Sequence, residues 1–169
     1  EWIVIGVAMG ALFSTGAAAG LRAARRGRRF QDRMEAIWAT AAEAMGARLE
    51  VVSRPTLAPR VLRLIALVDG VEAIAVLSVP VDEGAPTHTK ARALYVLGVG
   101  PRFERTEGTL PDEARALVES LPADLALRAD GREVEVVWNG AELDCDVLTR
   151  ALRLVAAVAR HGADHLRGL

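Results

Sequence analysis

Cysteine occurs once, at Cys145, so no disulfide can form within the chain and no cysteine cluster can hold a metal. A lone thiol agrees with a reducing compartment. Lysine is equally scarce: Lys90 stands alone beside twenty arginines, a bias that, with abundant alanine, leucine and valine, points to a GC-rich bacterial genome. Tyr95 is the only tyrosine and there are three histidines, which leaves carboxylates and arginines as the main groups for acid–base work. The chain has no GxxxxGK[ST] loop, and Ser53, Ser78 and Ser120 have no nucleophile-elbow sequence around them. VIGVAMGAL contains glycines but not GxGxxG spacing, and no acidic residue follows at the distance a dinucleotide needs.

The remaining polar groupings have plain explanations. His161 and His165 are four apart, but Gly162 separates them and no third ligand is near, so zinc is not expected. In Asp144-Cys145-Asp146 the acids read as caps of a helix and the cysteine as a packed residue. His88, between Thr87 and Thr89, reads as the polar start of a strand. No catalytic residue, cofactor or metal is therefore expected, and a membrane-bound enzyme is the least favoured of three readings. Nucleic acid is not expected either: the formal net charge is −1, and no basic face is interleaved with aromatics.

What the chain does have is Trp2 to Leu21, twenty residues without a charge. At about 1.5 Å per helical residue this run matches a hydrocarbon core of about 30 Å. Arg22, Arg25, Arg26, Arg28 and Arg29 follow at once, against a single acid, Glu1, on the other side. An arginine excess stays cytoplasmic, so the expected arrangement is one pass through a bacterial inner membrane with the rest of the chain in the cytoplasm. A secretory signal peptide has its positive charge before the apolar run, so cleavage and export are not expected. The same five arginines are expected to meet anionic lipid headgroups. Gly6, Gly10, Ser14 and Ala18 fall on one face of the run, and Gly16 and Gly20 form a second small-residue pair. Such residues let helix backbones approach closely, which predicts packing against another helix.

Residues 1–29 thus form the span and its basic flank, and residues 30–169 one domain of the α+β class. Phe30, Met34, Ile37, Trp38, Ala41 and Met45 recur at helical spacing up to Gly46, and this helix is expected to continue the span with a break at Gly27. Asp69-Gly70 lies between two apolar runs, the signature of a type I′ hairpin, and Asp130-Gly131 marks a second hairpin with one wet face. Strands are also expected over 49–53, 88–99 and 102–106. A helix should open near Thr109-Leu110-Pro111 and end before Pro122. A last helix, from Asp144 or Asp146 to His161 with Gly162 as its stop, should lie across a mostly antiparallel sheet.

The favoured function is a non-enzymatic accessory or scaffold subunit that binds other membrane subunits or a second copy of itself. The alternative is a tethered sensory module with a small ligand enclosed by sheet and closing helix. Arg102 and Arg105 around Phe103 could receive an anion, although an edge strand in water explains them more simply.

Overall fold

The computed structural model describes residues 2–52, 59–81, 85–96, 98, 100, 102–104, 110–122, 124–142 and 144–167. The side chains of 2–19, 103–104 and 163–167 lie outside that description. Helix α1 runs over Trp2–Met45 as one element of 44 residues. The expected break at Gly27 does not occur, because this glycine serves close approach and not a bend. It is buried, and a Cβ there would overlap the carbonyl of Val81. From this point Gln31, Met34, Trp38, Ala41 and Ala42 recur as the buried stripe. A helix repeats every 3.6 residues, so these positions share one face.

Strands β1 (Arg48–Val52), β2 (Arg60–Val68), β3 (Val71–Val79), β4 (His88–Leu94), β5 (Arg102–Glu104), β6 (Ala126–Asp130) and β7 (Glu133–Asn139) form one seven-stranded sheet. Its order is β1-β2-β3-β4-β7-β6-β5, and every neighbouring pair is antiparallel. Between β5 and β6 lies helix α2 (Asp112–Glu119), and after β7 comes helix α3 (Cys145–Arg167). Helix α3 crosses β2, β3, β4 and β7, α2 packs on α3, and the C-terminal part of α1 lies over β1 and β2 against α3. Helices α1 and α3 thus pack against one face of the sheet, with α2 lying on α3.

Side-chain alternation decides which face that is. Leu62, Leu64, Ala73, Ala75, Leu77, Ala91, Ala93, Val134, Val136 and Trp138 are buried beneath the helices. The centre of this face is built from alanine, with Ala73 opposite Ala93 and Ala75 opposite Ala91. Small side chains there let α3 sit close, and it fills the space with Leu148, Ala151, Leu152, Val155 and Ala159. Buried side chains from both sides thus meet in the layer between sheet and α3.

A polar junction sits inside this layer. The Trp38 indole N–H donates to the Glu142 carbonyl (2.9 Å), and the Trp138 indole N–H donates to the Glu142 carboxylate (3.0 Å). The fully buried Thr89 hydroxyl donates to the Gly140 carbonyl (2.8 Å) and accepts from the Glu142 N–H (2.9 Å). Glu142 also accepts from the Asp144 N–H (2.8 Å), and Asp144 in turn accepts from the Asp146 N–H (2.8 Å), which caps α3. Of the two aspartates proposed from sequence, Asp144 is the cap.

Several boundaries differ from expectation for local reasons. The first turn behaves as the sequence predicts, with Asp69 at φ 49 and Gly70 at φ 82. In the second hairpin Asp130 stays in its strand, and the turn is Gly131-Arg132 with positive φ at Gly131 only. The Asp130 carboxylate accepts the N–H groups of Arg132 (2.8 Å) and Glu133 (2.9 Å), which holds that register. Strand β4 ends at Leu94 because the next residue turns away: Tyr95 N–H donates to Arg132 O, and Gly98 N–H donates back to Tyr95 O. Helix α3 passes through Gly162, which is buried, and ends at Arg167. Pro111 precedes α2 without a side-chain cap, and Thr109 lies outside the described residues.

From Gly20 onward, where side chains are described, no helix is long and apolar enough to cross a membrane. Nearly all of the run Trp2 to Leu21 precedes that point.

Gly20 and Gly27 of α1 should respond oppositely to a methyl group. Gly27→Ala forces a clash with the Val81 backbone and is expected to destabilise the domain by about 1–3 kcal/mol, the usual range for overpacking. Gly20→Ala has nothing within 4 Å and is expected to be neutral or to stabilise the helix by about 0.5–1 kcal/mol. Urea unfolding of both variants measures the difference.

Candidate functional site

The sheet face turned away from the helices carries the candidate site, and it has two chemically different halves. On β2 and β3 it is aliphatic. Ile65 pairs with Ile74 across the strands, Val61 and Val76 lie along the same strip, and Leu67 at its end is 77 % exposed. Arg63 and Glu72 are the charged residues within this half.

On β4, β7 and β6 the same face is ionic. Lys90 bridges to Glu135 (3.2 Å), Arg128 reaches the same carboxylate through Nε (2.8 Å), and Arg92 contacts Glu133 (3.4 Å). Burial would by itself raise the Glu135 carboxyl, but hydrogen bonds and charge from Arg128 and Lys90 outweigh it and hold it below the ordinary carboxylate range. Partly exposed pairs of this kind contribute about 0–1 kcal/mol each. Their main effect is to keep this half of the face wet and its cross-strand pairing unique.

The two halves meet at a corner beyond the end of β4. Tyr95 is buried there, and its ring occupies the space a Cβ on Gly100 would need. The Gly100 N–H donates to Gly131 O (2.9 Å), so the chain after β4 is tied over the β6–β7 turn. Burial, with the nearby Asp130 charge, pushes the Tyr95 hydroxyl up to about 12. The Asp130 carboxyl is itself held low, first by the Arg132 and Glu133 N–H groups and further by Arg102. Against this corner lies a cavity of about 360 Å3, with Val71, Ile74, Ala93, Leu94, Tyr95 and Val96 in its wall. Leu94 and Val96 are 66 % and 54 % exposed at its mouth.

Arg102, singled out from the sequence, joins this region and faces a groove with Arg92, Arg128 and Arg132. The side chains of Phe103 and Arg105 lie outside the described residues, as does Ser53. Arg22, Arg25, Arg26, Arg28 and Arg29 are all exposed on α1, on either side of the buried Gly27. Gly20 is exposed, while Gly6, Gly10, Ser14, Gly16 and Ala18 belong to the part of α1 whose side chains are not described. Cys145 opens α3 half-buried, with Sγ 4.0 Å from Ala41 O. Ser78 and His88 are exposed on β3 and β4, Ser120 ends α2, and His161 is half-buried on α3. His165 lies outside the described side chains, and among the described residues no three potential metal ligands converge.

Sequence reasoning passed over Tyr95, Glu135 and Glu142. The alternation of Lys90, Arg92, Glu133 and Glu135 signals an ionic strip once the strands are known to be neighbours, whereas Tyr95 and Glu142 carry no local signal.

Because Tyr95 is the only tyrosine, ultraviolet titration reads it directly. Its phenol is expected to ionise near 12 and not near 10. A raised native value means that the folded state holds this proton more tightly, so stability falls between these two pH values, and Tyr95→Phe removes that fall. Glu135 has the opposite sign. Its lowered value contributes stability above the unfolded carboxyl pKa that is lost as pH drops through the folded one. Wild type is therefore expected to exceed Glu135→Gln by roughly 0.5–1 kcal/mol at neutral pH, a margin that closes on acidification in urea titrations.

No family model, curated protein or solved structure matches this chain.

Proposed function

We infer that the chain is a single-pass accessory or scaffold subunit of a bacterial inner-membrane complex, non-enzymatic, with its α+β domain on the cytoplasmic side. The observation that carries this reading is the aliphatic half of the sheet, where Ile65, Ile74 and Val76 are half-buried beside the exposed Leu67, with Arg63 and Glu72 opposite them and, among the described residues, no helix over them. Apolar surface mixed with a few charged residues and left without a covering helix suits a protein interface. The apolar run of α1 and its five exposed arginines supply the tether, with the arginines at the lipid headgroups. Partners anchored in the same bilayer meet such a face at raised effective concentration. The small-residue stripe Gly6, Gly10, Ser14 and Ala18, with Gly16 and Gly20, offers a second contact inside the membrane, to another subunit or to a second copy.

Site-specific photocrosslinking in intact cells tests the reading. A crosslinker at Ile74 should capture one defined membrane protein, or another copy of this chain, while one at the exposed Glu119 on α2 should not. Val76→Glu should weaken the association at least tenfold, as loss of a central interface residue does, with the circular dichroism spectrum unchanged. Recovery of nothing but the lone chain at every position, or digestion of the domain by protease added outside intact spheroplasts, would count decisively against it.

A further inference from the structure

The geometry points to a ligand site at the corner of the uncovered face: the 360 Å3 cavity and the neighbouring arginine groove together bind an amphiphile with one aliphatic chain and an anionic head. This inference does not rest on the partner-binding reading.

The cavity provides the chain-binding half. Its volume lies within the range of small-molecule pockets, and most of its wall is hydrocarbon from Val71, Ile74, Ala93, Leu94 and Val96, with Glu72 the one acid in it besides the paired Glu133. Leu94 and Val96 protrude at the mouth, where apolar side chains gain by covering a chain and excluding water.

The groove provides the head-binding half. Arg92, Arg102, Arg128 and Arg132 line it with Asp130, Glu133 and Glu135, one more arginine than carboxylates. The carboxylates are already engaged. Glu135 holds Arg128 and Lys90, Glu133 holds Arg92, and Asp130 accepts two backbone N–H groups of its own turn. Among the described residues the Arg132 side chain has no hydrogen bond or ion pair, and Arg102 acts on Asp130 only through space. These two guanidiniums are the donors left for an incoming carboxylate or phosphate. A cationic head would instead meet arginines whose partner acids are occupied.

The halves are contiguous because Arg92 and Glu133 line both. Their ion pair, 3.4 Å long and partly exposed, stands at the boundary. A chain lying in the cavity places its head within reach of the groove. An inorganic anion would leave the apolar half wet, and a neutral alkane would leave the arginines unused, so the joined site selects a molecule with both parts.

Photolabelling of the full chain in phosphatidylcholine nanodiscs provides the test, with dodecanoate carrying a diazirine near its methyl end as the probe. The expected adducts fall on Ile74 and on 93–96. Excess dodecanoate should compete them away, while dodecyltrimethylammonium and inorganic phosphate should not. Arg102→Glu with Arg132→Glu, both exposed in the folded domain, should lower labelling at these positions at least tenfold, and Leu94→Asp should do the same from the apolar side. Phosphatidylglycerol nanodiscs separate the two sources of such a ligand. Competition by them assigns the site to a bilayer lipid, and undiminished labelling assigns it to a free amphiphile. Adducts confined to the N-terminal helix, equal competition by the cationic amphiphile, or full labelling of the folded arginine variant would each overturn the proposal.

Discussion

The junction at Glu142 is the constraint on which the arrangement of this domain depends. One residue receives the indole N–H groups of Trp38 from α1 and Trp138 from β7, donates to Thr89 on β4, and accepts from the residue that caps α3. Indole N–H and threonine hydroxyl groups are costly to bury without partners, so these chain segments are stable only when they meet at this point. Meeting there brings α1 and α3 onto the same face of the sheet, and α2 follows by packing on α3. No described helix covers the opposite face, since all of them gather at this interior.

That bare face differs along its width because its strands come from different parts of the chain. The β2–β3 hairpin contributes Ile65, Ile74 and Val76, and the β4–β7–β6 group contributes the Lys90, Arg92, Arg128, Glu133 and Glu135 lattice. The crossover that sets β4 beside β7 is therefore what gives the surface an aliphatic half and an ionic half. The corner where they meet is held by Tyr95, by the backbone bonds to the Gly131-Arg132 turn and by the absence of a side chain at Gly100. Ile74 belongs both to the aliphatic strip and to the wall of the corner cavity, so the two surfaces adjoin and share that residue.

Helix α1 connects this domain to the apolar run in a defined orientation. Gly27, Gln31, Met34, Trp38 and Ala42 turn inward, and the Gln31 amide reaches the Val79 carbonyl at 3.3 Å. The five arginines before and after Gly27 consequently point away from the domain. At the rim, Arg60 on β2 binds Asp32 (3.0 Å) and Glu35 (2.6 Å) of the same helix, which restrains its rotation over the sheet.

The α+β class, both hairpins, the buried stripe of α1 and the position of α3 across an antiparallel sheet were legible in the sequence. Each rests on a local rule: the period of apolar residues, the positive φ that Asp69-Gly70 accepts, or the ability of Asp144 to cap. Boundaries failed where a distant partner intervened. The turn back at Tyr95 depends on Arg132, and the persistence of α3 beyond Gly162 depends on the burial of that side of the helix. Gly27 illustrates the limit most clearly, since in sequence a glycine inside a helix suggests a bend, while in the folded chain it marks the nearest approach to Val81. The candidate site was legible only as two isolated hints, Arg102 and the wet face of the second hairpin. The sequence by itself determined what each segment becomes, because periodicity and turn chemistry act over a few residues. Only the tertiary structure decided which face stays uncovered and which charges converge there, because strand order and helix placement follow from contacts such as Trp38 with Glu142, whose partners lie 104 residues apart.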